Sequence, residues 1–378
     1  MKISRREFIK KGSLILTGIT AGLSLGGLLS GPRAAYAAKK TPLGRHIAAH
    51  YTKIDQGTLQ CELCPHRCLL MEGMRGVCRV REARAGELHT LVYGNPCSYH
   101  IDPIEKKPLF HVLPESLAFS IATAGCNLRC KFCQNWTISQ RPPEETYNVE
   151  MGPQKVVDLT LKNNCASIAY TYSEPIVFYE YMLDTAKLAQ AAGLKNVMVT
   201  AGYINEQPLR ELCKYIDAAN VDLKSFDPKY LREVCAQELE PLLKALKIFK
   251  QEGVWLEITN LVVPTLNDDL RTIEKMCVWI RDNLGPETPL HFSRFTPIYK
   301  LKNLYLTPVA TLEQARAVAE KTGLKFVYIG NLPGHPGGHT YCPDCKVLLF
   351  ERIGYSIKQN NIVNGKCKSC SRSIPGIW

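Results

Sequence analysis

From Leu117 onward the chain repeats one pattern: a short apolar run, a polar break, then a segment with helical spacing. Apolar runs at residues 119–123, 167–172, 196–200, 220–223, 255–261, 290–294 and 326–329 have the length and composition of buried strands. Helices are expected between them, over 153–163, 176–192, 207–218, 241–251, 270–283 and 311–322. Pro153 and Pro241 fall near helix starts, and Gly193, Gly253, Gly285 and Gly323 follow helix ends. Strands that alternate with helices pair in parallel through crossovers, so the fold class is α/β, a partial or full barrel. In such barrels the chemistry gathers at the carboxyl ends of the strands.

The loop after the first of these strands runs Gly125-Cys126-Asn127-Leu128-Arg129-Cys130-Lys131-Phe132-Cys133-Gln134-Asn135-Trp136. Structural zinc and ordinary electron-transfer clusters take four thiolates or imidazoles. Three thiolates can hold a cubane of four irons and leave one iron without a protein ligand, where chemistry can occur. A zinc knuckle, or a chance grouping in a chain with 16 cysteines, is the competing reading.

With Phe132 just before the third cysteine, this loop resembles the cluster motif of radical S-adenosylmethionine enzymes. The resemblance implies a 4Fe–4S cluster on Cys126, Cys130 and Cys133, chelated by S-adenosylmethionine. It also implies a low-potential electron donor and a 5′-deoxyadenosyl radical that abstracts hydrogen. Asp102-Pro103-Ile104-Glu105-Lys106-Lys107-Pro108-Leu109, otherwise a charged and solvated connector, resembles a signature of the AmmeMemoRadiSam group. That group's radical enzyme is found with AMMECR-type and Memo-type proteins, which are the implied partners. The group in turn is similar to the activating enzymes of pyruvate formate-lyase, which implies a protein substrate and hydrogen abstraction from a glycine. Modification of a small molecule or another side chain is the alternative, and a non-catalytic iron–sulfur carrier is the reading from a different class.

The same resemblance gives roles to residues at the strand ends. Thr171-Tyr172-Ser173-Glu174-Pro175 keeps the Glu-Pro of the family's G-G-E-P and carries Tyr172 and Ser173 where the glycines stand. Glu174 would hold the methionyl amino group; a helix start capped by Ser173 is the plain alternative. Gly202 would turn near the adenosine. Asp222-Leu223-Lys224 resembles the D-L-K of glycyl-radical activases, with Lys224 facing the methionyl carboxylate and Asp222 on the same face of the strand. Glu257, Asn260 and His291 are further candidates for the cofactor site, core packing being the alternative for His291, and Asn331 would lie on the adenine side.

Two other cysteine groups flank this region. Cys61, Cys64, Cys68 and Cys78 form C-x2-C-x3-C-x9-C, for which zinc, a second iron–sulfur cluster and disulfides compete; metal is the expectation. Cys342, Cys345, Cys367 and Cys370 form two C-x2-C pairs 21 residues apart, a zinc-ribbon-like structural site. Cys97, Cys165, Cys213, Cys235 and Cys277 are scattered singly and read as incidental buried residues. Gly334 to His339 reads as a flexible connector.

At the amino terminus, Ser4-Arg5-Arg6-Glu7-Phe8-Ile9-Lys10 matches a twin-arginine export signal, followed by a 16-residue apolar run from Leu14 to Leu29 and Ala35-Tyr36-Ala37. The run is short of the ~20 residues that span a bilayer. Export by the twin-arginine route or membrane association is therefore expected, with a cytoplasmic location as the alternative. Lys2, Arg5, Arg6, Lys10, Lys11 and Arg33 against Glu7 account for +5 of the net +12. No basic stripe with interleaved aromatics remains, so no nucleic acid is expected. The expected organisation is 1–37 signal-like, 38–112 Cys-rich, 113–333 barrel and 334–378 zinc-ribbon-like.

Overall fold

The computed structural model describes residues 43, 45–55 and 57–378; the twin-arginine match and the apolar run behind it lie outside the described residues. Eight strands form one sheet: β1 (Ser98–Pro103), β2 (Leu117–Ala122), β3 (Ser167–Tyr170), β4 (Lys195–Thr200), β5 (Ala218–Asp222), β6 (Trp255–Val262), β7 (Leu290–Arg294) and β8 (Val327–Gly330). They are ordered as in the sequence, with β2 to β8 parallel and β1 antiparallel at one edge. β1 and β8 are end strands that do not pair, so of the two expected forms this is the open one.

Helices α1 (Pro153–Lys162), α2 (Tyr179–Ala191), α3 (Glu206–Cys213), α4 (Leu239–Gln251), α5 (Leu270–Leu284) and α6 (Val309–Lys321) connect the parallel strands. Their limits follow local chemistry. α1 opens on Pro153 at a position whose N–H would have no helical partner anyway. α5 begins where the Asp269 carboxylate accepts the Thr272 N–H at 2.8 Å, and stops at Gly285, whose φ of 100° suits glycine. The apolar faces of these helices and the outer face of the sheet form the main core, with Ile168, Met198, Leu246, Ile258, Ile273 and Phe292 buried in it.

The inner face of the sheet is closed at its amino end by the segment read as a solvated connector. Ile104, Leu109 and Val112 are completely buried against Ala118, Ala169, Val197 and Ala218, small residues that leave room for the plug. Burying those three side chains contributes at most roughly 5–9 kcal/mol. The charged residues go in with them: Asp102, Glu105 and Lys107 are 4%, 2% and 1% exposed. The segment is thus not the solvated connector its charges alone would suggest: Asp102 pairs with Lys106 and Lys107 and accepts from Ser120, and Glu105 accepts from the Glu115 N–H.

Two three-stranded antiparallel sheets precede β1, one of Tyr51–Lys53, Leu59–Cys61 and Leu69–Leu70, the other of His46–Ile47, Glu87–Thr90 and Arg81–Arg84. Both bury residues in the main core, among them Leu59 and Leu88, as do Leu63 and Val80 beside them. After β8, Gly334 to His339 is no open connector: Pro336–Gly338 form a 3-10 turn, and a Cβ on Gly337 would meet Ile329 at 3.0 Å. The last residues make a three-stranded sheet, Thr340–Tyr341, Leu348–Ile353 and Ser356–Asn360, and a small hairpin, Ile362–Val363 with Lys366–Cys367. Among the described residues no helix is long and apolar enough to cross a membrane.

Candidate active site

Beyond β2 the chain turns at Gly125, whose φ of 91° is left-handed and whose Cβ would strike the Cys78 carbonyl at 2.6 Å. The cysteine loop that follows lies on a turn of π-helix, Leu231–Cys235: Arg129 N–H donates to Cys235 O at 2.8 Å and Lys131 N–H to Val234 O at 3.0 Å. Cys126 Sγ accepts from Leu128 N–H at 3.3 Å, and Cys133 Sγ lies 3.2 Å from Ser139 Oγ. Cys130 is buried and takes a hydrogen bond from the Cys235 thiol, which with the Lys224 charge holds its own thiol below the usual range against the effect of burial. Burial, and the hydrogen bond to Cys130, raise Cys235 instead. Reading Cys235 as incidental missed this contact. No sequence signal marks it, because the two cysteines meet only through the fold.

Lys224, just past β5, is 8% exposed and donates to Asp222 Oδ2 at 2.6 Å. Its ammonium lies 5.9 Å from the centre of the Phe132 ring. Burial works against its charge, but Asp222, Cys130 and Cys235 outweigh it and raise the pKa. The structure thus brings Lys224 to the cysteine loop, where a positive charge favours thiolates and any anionic group bound beside them.

Glu174 is buried at the end of β3, where Oε1 accepts from Thr200 Oγ1 at 2.6 Å and Ile176 N–H at 3.2 Å, and Oε2 from Ala201 N–H at 2.8 Å. It, rather than Ser173, caps the 3-10 turn Pro175–Phe178. Burial raises its pKa, opposed by those hydrogen bonds and by Lys224, and no described cation lies within ion-pair distance of it. The Ser173 hydroxyl beside it is buried with no partner. A carboxylate lacking a cation and an orphaned hydroxyl next to it fit an ammonium group such as the methionyl amine.

Tyr172 occupies the glycine position with a φ of 63°, which costs a non-glycine residue about 1–2 kcal/mol. Its carbonyl accepts from Asn135 Nδ2 at 2.7 Å, tying this turn to the cysteine loop. Its hydroxyl donates to Asp102, which also accepts from Ser120 Oγ at 2.9 Å and pairs with Lys106 at 2.7 Å and Lys107 at 2.5 Å. Burial alone would raise the Asp102 carboxyl, but these donors hold it well below the carboxylate range. Burial lowers Lys107 to about 8, against the pull of Asp102. The charged segment is therefore an anchor that holds Tyr172 in its strained conformation.

The other candidates separate. Gly202 has a φ of 63°, and a Cβ there would meet Leu242 at 2.9 Å and Val221 at 3.0 Å, so both its backbone and the packing behind it call for glycine. Asn260 is likewise internal, donating to Leu223 O at 2.8 Å. Glu257 does not fit cofactor binding, since it lies toward the amino end of β6 and its carboxylate is filled by four donors. These are His111 N–H at 2.8 Å, Trp255 Nε1 at 3.2 Å, Phe110 N–H at 3.0 Å and His291 Nε2 at 2.6 Å. It clamps the plug and fixes the orientation of the His291 ring through Nε2. His291 and Asn331, the latter donating to Ser293 Oγ at 2.8 Å, line a cavity of about 320 Å³ with Lys106, Thr259, Ser293 and Arg352.

In the carboxyl-terminal sheet, Cys342 and Cys370 sulfurs are 3.6 Å apart, Cys345 and Cys367 3.7 Å, and all four lie within 4.8 Å of one another. Such convergence suits a single metal ion. Cys61, Cys64 and Cys78 are buried beside the cysteine loop and Cys68 is half-buried. Burial pushes Cys64 up to about 12 and Cys78 up to about 11, so a metal would be needed to hold them as thiolates.

Residues 120–277 match the family model described as the Radical SAM superfamily. Uncharacterized protein MJ0808 of Methanocaldococcus jannaschii is 47% identical over 329 residues, which span 86% of this chain and 98% of that protein. The pyruvate formate-lyase-activating enzyme of Clostridium pasteurianum is 24% identical over 168 residues, 42% of this chain and 67% of that enzyme. Among solved structures, a radical SAM methyltransferase from Sphaerobacter thermophilus aligns with a TM-score of 0.44 at 12% identity, over 76% of this chain and 77% of that one.

Proposed function

The chain belongs to the radical SAM superfamily, and from that premise we propose that it is a hydrogen-abstracting enzyme whose cluster is held by Cys126, Cys130 and Cys133. The observation that carries this reading is the meeting of three strand ends: the cysteine loop after β2, Glu174 after β3 and Lys224 after β5, with the Lys224 charge acting on Cys130. Glu174 and the Ser173 hydroxyl would hold the methionyl amine and Lys224 its carboxylate, while the plug beneath keeps water from entering from below. A 4Fe–4S cluster with bound S-adenosylmethionine supplies a 5′-deoxyadenosyl radical there.

The likeness to an activating enzyme supports a protein substrate attacked at glycine; the AmmeMemoRadiSam setting, with AMMECR-type and Memo-type partners, is part of the proposal and rests on the resemblance of residues 102–109. The cavity roofed by Arg352 and lined by His291 and Asn331 favours a second reading, a small polar molecule. Zinc on Cys342, Cys345, Cys367 and Cys370, and twin-arginine export or membrane association, belong to the same proposal. A deuterium-transfer assay tests it: anaerobic protein with a low-potential reductant forms 5′-deoxyadenosine, faster with the true substrate, and deuterium enters the product only from the true donor. Fully loaded protein that never forms 5′-deoxyadenosine overturns the enzyme reading in favour of an electron carrier.

A further inference from the structure

We propose that Cys61, Cys64, Cys68 and Cys78 hold a second four-iron cluster, which passes an electron to the cluster on the neighbouring loop. Spacing is the first argument. Zinc bonded to four thiolates draws their sulfurs to about 3.8 Å from one another, whereas a cubane spreads them to roughly 6–7 Å. Among the described residues, the carboxyl-terminal four are the group whose ligand atoms converge as a single ion requires, all within 4.8 Å, and Cys61, Cys64, Cys68 and Cys78 do not form such a group. All four thiols are free, so no disulfide uses them.

The second argument is the space between them. A Cβ on Gly76 would sit 3.6 Å from Cys68 Sγ and 3.7 Å from Cys78 Sγ. Gly76 is not in the left-handed region, so its backbone conformation does not call for glycine. A Cβ there would already be in van der Waals contact with both sulfurs, so any larger side chain would press on them.

The third argument is charge. Arg81 is 1% exposed and uses Nη2 on Glu180 at 2.8 Å, while Nε and Nη1 are buried without partners. Its charge acts on Cys61, Cys78 and Cys64. Unpaired guanidinium donors beside three of the four sulfurs suit an anionic cluster with acceptor sulfides, and they cost stability beside a merely apolar pocket.

Position then gives the cluster its role. His66, between Cys64 and Cys68, bonds Asn127 O at 2.7 Å, and the Asn127 side chain bonds the Cys64 thiol. Gly125 lies directly on the Cys78 carbonyl. The two cysteine loops are thus in contact next to Cys126. A reduced flavin or iron–sulfur carrier would lose one electron to the amino-terminal cluster, which returns to its resting state as that electron moves to the radical cluster. No bond forms or breaks and no proton is required.

The relay rests on the proposed radical activity, but the cluster itself does not, and the tests separate them. The triple variant C126A/C130A/C133A, isolated anaerobically, is expected to keep about four irons and four sulfides, and its reduced paramagnetic signal should not change with S-adenosylmethionine. Loss of all iron, or one additional zinc in its place, overturns the cluster. Gly76→Leu in the otherwise natural chain should lower iron from about eight to about four per molecule. Gly76→Ala, which the backbone accepts, is the milder variant should leucine prevent folding. In the variant that loses this iron, 5′-deoxyadenosine formation driven by reduced flavodoxin should fall about tenfold or more, while formation driven by titanium(III) citrate persists within about twofold. Equal loss with both reductants, or none with either, overturns the relay. Absence of product from the unaltered protein with both reductants, at eight irons, instead removes the radical reading and leaves the second cluster standing.

Discussion

Replacing Lys224 by methionine removes one positive charge from beside the cysteine loop while keeping most of the side-chain volume. The Lys224 side chain is 9% exposed and its partner Asp222 34%, so the pair itself is partly solvated and its stability contribution is discounted accordingly. The larger consequence falls on bound anions. A charge-assisted hydrogen bond to a carboxylate contributes about 1.5–3 kcal/mol, and each 1.4 kcal/mol is a factor of ten in affinity. Lys224→Met should therefore weaken S-adenosylmethionine binding by about 10- to 150-fold. Iron content should hold, because the three thiolates remain. Asp222→Asn makes the opposite change, freeing the ammonium from its 2.6 Å partner, and binding should stay the same or tighten. The assay is titration of the reduced cluster's paramagnetic signal with S-adenosylmethionine, beside iron analysis of the same samples. An affinity unchanged within about twofold in Lys224→Met at full iron refutes the assignment. Equal weakening in both variants shows that Asp222, not Lys224, meets the cofactor.

Tyr172→Phe should destabilise the protein by about 1.5–3 kcal/mol, read from denaturant midpoints, because it takes a donor from the ionised Asp102; an unmoved midpoint means the hydroxyl anchors nothing. Cys367→Ser should release about one metal equivalent and expose residues 340–378 to protease while leaving the central iron in place, and unchanged metal content refutes the carboxyl-terminal site. His111, fully buried and neutral between Pro375 O and the Tyr328 hydroxyl, has its pKa lowered to about 4 by burial. The unfolded chain binds its proton first, so this stability is whole above about 6.5 and falls by about 3 kcal/mol as pH drops to about 4; His111→Asn should flatten that limb of the curve. Arg5 and Arg6 changed to lysine should retain a fused reporter in the cytoplasm, and an unchanged distribution removes the twin-arginine reading.

What could be read in the chain, and what could not, divides by the range of the interactions involved. Strands β2 to β8 were legible because each carries a short stretch rich in apolar and β-branched residues between segments of helical spacing, a property of its own residues. The cysteine loop was legible for the same reason, its three ligands lying within eight positions. Strand β1, Ser-Tyr-His-Ile-Asp-Pro, is polar and antiparallel at an edge, so it reads as loop. The burial of Asp102 and Lys107 depends on Tyr172, some seventy positions away, and the loss of Glu257 as a cofactor ligand depends on Phe110 and His111. Nothing local announces such pairings; the nearest signal was that Tyr172 stands where a glycine is expected, a strain that needs an anchor somewhere. The amino-terminal cysteines show the same limit most sharply. Their sequence spacing admits zinc, iron–sulfur or disulfides alike, and what bears on the choice is three-dimensional: they do not converge as a single-ion group, Gly76 faces two of their sulfurs, and Arg81 brings unpartnered donors beside them.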